Sequence, residues 1–216
     1  MKKLRNIIRK AISPAQFRNF IFAGRSVFTL ENKESGNYIT FKISQIKKQG
    51  KVVANQFGIN CKVLGDSDAG YQFLGFLDIQ KKTFKRWGSQ SGNPSYVGYK
   101  TFAWILNNLG QLERFTDKDK LAIYHEGTCC KCGRPLTVPH SIDTGIGPDC
   151  YEKMIQSSVK VLKDMGFWND ALTYEANVRI ALVECPKIWN LVHLPDSIQL
   201  DPEFSAHKLL SSLNIF

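Results

Sequence analysis

The sequence predicts an α+β fold, in which a small, mostly antiparallel β-sheet domain is followed by a cysteine-centred module and then by C-terminal helices. Three observations lead there. Between Ser26 and Trp87 short β-type runs alternate with turn residues, four of the six cysteines crowd into residues 129–150, and beyond Cys150 the apolar residues recur at helical spacing. With 216 residues and 43% apolar content, roughly 70% of the unfolded chain's surface can be buried without a disulfide framework.

Taken in order, Leu4, Ile7, Ile8 and Ile12 share one side of a short amphipathic helix, with Arg5, Arg9 and Lys10 on the other, and Pro14 ends or restarts it. Ser26–Leu30 and Tyr38–Ile43 flank a turn-rich connection containing Gly36 and Asn37, as a hairpin requires. Further strands are predicted at Lys51–Phe57, Asn60–Leu64, Tyr71–Asp78 and Thr83–Trp87, with Asp66–Gly70 as an ordinary turn that lacks the rest of a calcium loop. A polar connection at Gly88–Ser95 leads to a helix over Tyr99–Leu109, whose Phe102, Ile105, Leu106 and Leu109 cover the sheet. Residues 111–124 run into the cysteines, and helices follow at Tyr151–Met165 and Asn169–Val183. The expected organisation is a basic helical segment at 1–25, a basic β-rich domain with its covering helix at 26–110, a metal module at 111–155 and a helical region at 156–216.

The net charge of +10 is unevenly placed. Residues 1–100 hold 18 Lys+Arg against 5 Asp+Glu, a net of +13, and residues 101–216 hold 11 against 14, a net of −3. That asymmetry points to a front half that faces a polyanion. The basic start is not followed by an uninterrupted apolar stretch or a small-residue cleavage site, and no run approaches the ~20 apolar residues of a membrane span. A reducing cytoplasm with free thiols is the expectation.

The chemistry centres on His125-Glu-Gly-Thr-Cys129-Cys130-Lys-Cys132-Gly133-Arg134 and, further on, Gly145-Ile-Gly147-Pro148-Asp-Cys150. Cys129 and Cys132 have the two-residue separation that lets a tight turn aim both sulfurs at one ion, and Gly133 supplies the backbone freedom. Gly147-Pro148 opens a helix with Cys150 near its N-terminus, where unpaired amides favour a thiolate. One structural zinc ion per chain follows. Three donors remain open for its fourth position: His125, which is favoured because it can fold back onto the metal, then His140, and Cys130, which is awkwardly adjacent to Cys129. The position three beyond Cys150 is Lys153, which cannot serve. Catalytic readings of His125-Glu126 fail, because a metalloprotease needs a second histidine where Cys129 stands and a deaminase needs one residue between His and Glu.

At these residues the chain resembles an uncharacterised zinc-finger family, common in phages and bacteria, whose signature runs Cys-x-x-Cys-Gly-Arg-x-Leu-Thr, Pro-x-Ser-Ile and Gly-Ile-Gly-Pro-x-Cys. Cys129, Cys132, Gly133, Arg134, Leu136, Thr137, Pro139, Ser141, Ile142, Gly145, Gly147, Pro148 and Cys150 occupy its motif positions, and His140 stands where an acidic residue is usual. The resemblance extends upstream through Ala23–Leu30, Thr40–Lys42, Tyr71–Gly75, Phe102–Trp104 and His125–Gly127, so that it covers about residues 20–152. It implies a treble-clef-like finger with a structural zinc and a phage source, and no established activity.

For function, Lys42, Lys47, Lys48, Lys51, Lys62, Lys81, Lys82, Lys85 and Arg86 are interleaved with Phe41, Tyr71, Phe73, Phe76, Phe84 and Trp87. On an exposed sheet such a mixture neutralises phosphates while aromatic faces stack on unpaired bases. The expected partner is therefore nucleic acid, single-stranded or structured, contacted through Lys47, Lys48, Lys81, Lys82, Lys85 and Arg86. The competing expectation is a non-enzymatic module that docks on a host protein through the acidic helical region after Cys150, with Phe167, Trp168, Trp189 and Leu191. No nucleophile–base pair or paired-carboxylate arrangement is visible, so an enzyme is not expected.

Overall fold

The computed structural model describes residues 10–63, 70–79, 81, 83–87, 94–109, 112–116 and 120–184. The first strand, β1 (Lys10–Ala11), is followed by α1 (Pro14–Ile21), whose N-terminus is closed by a reciprocal cap. Ser13 Oγ accepts from the Gln16 amide at 3.3 Å and Gln16 Oε1 accepts from the Ser13 amide at 3.5 Å. Lys10 and Ala11 are thus extended rather than helical, while the rest of the helix expected over 4–12 falls largely outside the described residues.

Strands β2 (Val27–Asn32), β3 (Tyr38–Lys48), β4 (Lys51–Val63), β5 (Gln72–Asp78) and β6 (Thr83–Arg86) form a meander, and α2 (Pro94–Asn108) follows. The two strands expected at 51–57 and 60–64 are one long strand, with Gly58 inside it. A Cβ at Gly58 would sit 3.4 Å from the Phe73 ring, so the glycine keeps the strand continuous beneath an aromatic neighbour. Gln49 and Gly50 close the β3–β4 turn with φ of 49° and 77°, the paired positive values of a tight hairpin. The turn expected around Asp66 and most of the connection at 88–95 lie outside the described residues.

After α3 (Glu113–Thr116) comes β7 (Leu121–His125), then α4 (Pro139–Thr144), α5 (Pro148–Asp164) and α6 (Tyr174–Glu184). The seven strands make one antiparallel sheet in the order β1-β7-β2-β3-β4-β5-β6. Strand β7 was not expected from the sequence. It inserts between β1 and β2, pairing Phe28 with His125 and Leu30 with Ile123. The divisions drawn at residues 25 and 110 therefore cut through one sheet: the segments on either side of them donate strands to it.

One face of the sheet carries the core. Phe28, Phe41, Ile43, Ile59, Cys61, Leu77 and Phe84 are buried there beneath Phe17, Phe20 and Ile21 of α1 and Phe102, Ile105 and Leu106 of α2. The rings interlock edge-on and obliquely, with centroids of Phe17 and Phe28 4.8 Å apart, Phe41 and Phe102 5.6 Å, and Phe84 and Phe102 5.3 Å. Helix α2 approaches β4 closely because Gly98 has no side chain: a Cβ there would collide with Cys61 Sγ. Burial pushes the Cys61 thiol up to about 11, so it is an inert core residue. Phe167 and Trp168, read from the sequence as partner-facing, instead pack against this core, and Trp189 and Leu191 lie outside the described residues.

Candidate metal centre

The turn after β7 is built by backbone hydrogen bonds before any metal is considered. Leu136 N–H donates to Gly127 O at 2.9 Å, Cys129 N–H to Arg134 O at 2.8 Å and Gly133 N–H to Cys129 O at 2.8 Å. Gly133 sits at φ 78°, a left-handed value that lets the chain reverse directly after Cys132. Both sulfurs then face the N-terminus of α5, where Gly147 is the N-cap, Pro148 the first helical residue and Cys150 lies in the first turn.

The Sγ atoms of Cys129, Cys132 and Cys150 all lie within 4.8 Å of one another. Tetrahedral zinc with Zn–S bonds of about 2.3 Å needs sulfurs roughly 3.8 Å apart, so the three thiols fit such an ion with little movement. Their electrostatics also ask for a cation. With protein groups alone acting, the Cys129 thiol is pulled down to about 4, first by the hydrogen bond from the Cys130 thiol and further by the amides of Gly147, Cys132 and Lys131, against the effect of burial. Gly147 N–H reaches its sulfur at 3.4 Å. Cys150 is pushed up to about 12, by burial first and then by its cysteine neighbours. The Cys129 thiolate thus opposes ionisation of Cys150, and a divalent ion held by the three sulfurs would remove that conflict.

His125, expected as the fourth donor, is not grouped with the three cysteines. It is fully buried, and both ring nitrogens are already used: Nδ1 accepts from Gly127 N–H at 3.0 Å and Nε2 lies 2.5 Å from the Ile142 carbonyl, to which it donates. Its ring packs 6.0 Å from that of Phe20. The residue fastens the end of β7 to α4, and burial above all lowers its pKa below the ordinary 6.5, favouring the neutral ring that this pairing needs. His140 lies exposed on α4, and buried Cys130 acts through Cys129 by its thiol hydrogen bond. Among the described residues no histidine or carboxylate joins the three cysteines. The three cysteines line a cleft together with Arg134, Thr137, Ser141 and Asp149.

The centre is stitched to the sheet. Arg25 N–H donates to Cys130 O at 2.6 Å, its guanidinium reaches Cys132 O at 3.5 Å, and Cys130 N–H donates to Gly145 O at 3.0 Å. Gly24, at the head of β2, accepts from Gln45 N–H of β3 at 2.9 Å. The cysteines therefore occupy the end of the sheet toward which β3 and β5 run, the end that also carries the β3–β4 and β5–β6 turns.

The basic residues singled out from the sequence separate into three places. Lys47, Lys48 and Lys81 are exposed at that same end of the sheet. Lys85 is exposed and pairs with Phe76, on the face opposite the core. Arg86 turns the other way, over the Tyr96 and Tyr99 rings of α2 at 4.9 and 5.9 Å. Lys82 lies outside the described residues. The aromatic set divides too, since Phe41 and Phe84 are core whereas Tyr71, Phe76 and Trp87 are exposed.

A protein-family model described as a family of unknown function, DUF6011, matches residues 119–155, the stretch from just before β7 through the first turns of α5. Over that stretch the chain is similar to a family whose description assigns no activity, and the match coincides with the three-cysteine cluster. No curated protein and no solved structure matches the chain. Fold and site together define an α+β protein with a cysteine cluster suited to a metal such as zinc. Among the described residues no helix is long and apolar enough to cross a membrane.

Proposed function

We propose that this is a zinc-stabilised, non-enzymatic accessory protein that binds nucleic acid through its basic front half, in keeping with the phage source that the resemblance implies. The observation that carries the reading is where the excess charge falls once the chain is folded. Helices α1 and α2 bury one face of the sheet, while Lys42 and Lys85 stand exposed on the other and Lys47, Lys48, Lys51 and Lys81 stand exposed at its end. Electrostatic attraction of this kind needs no shaped pocket and is measured by its salt dependence. Zinc in this reading is structural, holding the end of the sheet in register through Arg25 and Gly24 rather than touching the ligand.

Gel shifts with single- and double-stranded DNA and RNA at two salt concentrations test it. The expected result is a shift that weakens steeply as salt rises and is lost when Lys47, Lys48 and Lys81 are changed together to glutamate. A salt-insensitive shift, or none with any probe, overturns it. A protein-docking reading draws support from α6, which leaves Ile180 and Val183 exposed at 48% and 75%. A host partner that stays bound after nuclease treatment and is lost on Val183→Asp would favour that second reading.

A further inference from the structure

The sheet presents three touching aromatic rings on the face that the core does not use. Phe73 and Phe76 have ring centroids 4.8 Å apart, and Trp87 lies 6.1 Å from Phe73 and 6.0 Å from Phe76. Phe76 is 42% exposed and Trp87 65%. The core face is already filled by Phe41, Ile59, Leu77 and Phe84, so these rings are not needed to complete it. A lone exposed aromatic needs no explanation, whereas three in contact make a patch that marks a binding surface.

The register shows what surrounds them. Phe76 pairs with Lys85 on β6 and with Gly58 on β4, Phe73 pairs with Asn60, and Asn60 pairs with Lys42 on β3. Directly paired residues point to one side of a sheet, so both lysines share the aromatic face. Gly58 and Ser44 pair in the next row and keep the ground beside the rings low. Lys42 Nζ also lies 5.7 Å above the ring of Tyr71, itself exposed. Asp78, an acid on this face two residues beyond Phe76, is held by Gln56 Nε2 at 3.0 Å and by the Lys81 amide at 2.9 Å. The patch is thus aromatic at its centre and cationic at its edges, within a front half of net charge +13.

Resting on the nucleic-acid reading above, we propose that Phe73, Phe76 and Trp87 form a stacking platform for unpaired bases, flanked by Lys42 and Lys85 for the phosphates, so that the ligand is a single strand. The planes of Phe76 and Trp87 stand at 87° to each other. Bases stacked on both must turn relative to one another, which a flexible strand does and a stacked duplex does not. Base–aromatic stacking accepts any base, so the platform reads strandedness rather than sequence.

The test uses the full chain with fluorescently labelled oligo(dT), oligo(rU) and a duplex of equal length. Phe76→Ala combined with Trp87→Ala is expected to weaken both single-strand probes about tenfold or more, with the salt slope unchanged. Lys42→Ala with Lys85→Ala is expected to flatten the salt slope instead, and Trp87→Phe to retain binding. If the double aromatic variant loses thermal stability, ultraviolet crosslinking of the wild type to oligo(dT) decides: adducts within residues 71–87 support the platform, and adducts confined elsewhere overturn it. Wild-type-like binding by a folded double variant overturns the platform and leaves the broader reading standing, whereas no binding to any probe overturns both. A self-association that Trp87→Ala abolishes, without any effect on nucleic acid, assigns the rings to a second copy of the chain and overturns the proposal.

Discussion

The sheet and the cysteine module are held by different forces. In the sheet, whole aromatic and aliphatic side chains interlock, and Phe28, Phe41, Ile43, Ile59 and Phe102 are completely buried. In the module the turn at 129–133 is shaped by backbone hydrogen bonds and a left-handed glycine, and its thiols oppose one another's ionisation. The difference teaches that large side chains hold the sheet by burial, while the turn buries fewer and smaller groups and is shaped by its backbone bonds, to which an ion held by the three thiols would add. The two are not independent, because β7 lies inside the sheet and leads directly into the turn.

Removing a ligand is the harshest way to break that contrast. Cys132→Ser is expected to abolish stoichiometric zinc, measured by elemental analysis, and to remove stabilisation on the order of 10 kcal/mol from the module. Chelated wild type should melt at the variant's temperature, and a metal-free wild type with unchanged melting would show that burial alone holds the module. The sheet responds to a cavity instead. Phe41→Ala, between Phe28 and Phe102, is expected to cost about 3–5 kcal/mol in denaturant unfolding, with zinc content unchanged.

The smallest effect comes from the seam. His125 is buried and neutral in the fold, so its pKa lies below the ordinary 6.5 that it regains on unfolding. Between those two values the unfolded chain binds the extra proton, and stability falls as pH drops below about 6.5. Melting temperature followed from pH 8 down to 5 should therefore decline more steeply in the wild type than in His125→Gln. Parallel profiles would mean that this ring titrates alike in both states and that its bonds to Gly127 and Ile142 do not hold it neutral.

Much of this was legible locally. Strands β2, β3, β5 and β6, the covering helix α2 and helix α5 follow from alternation, turn residues and helical spacing, because each depends on neighbours a few positions away. Cys129, Cys132 and Cys150 were legible for the same reason: the two-residue separation, Gly133 and the Gly147-Pro148 helix start are all local signals. Strand β7 was not. Leu121-Ala-Ile-Tyr-His is short, and what makes it a strand is pairing with Phe28–Asn32, some ninety residues earlier. The surroundings of His125 were not legible on the same account, since spacing shows a histidine near a knuckle but not the Ile142 carbonyl beside its ring.

The sequence by itself determined the class of the fold, the uneven charge and the three thiols, because composition and short-range spacing carry that information. Only the tertiary structure decided which aromatics are core and which are surface. The alternation in Tyr71-Gln-Phe-Leu-Gly-Phe allows either face to be buried, and a one-residue change of register would exchange them. The irregularity between Ile59 and Asn60, which leaves Leu74 without a partner on β4 between Phe73 and Gly75, settles it. With that extra residue Leu74 and Leu77 enter the core while Phe73 and Phe76 stand on the open face beside Lys85.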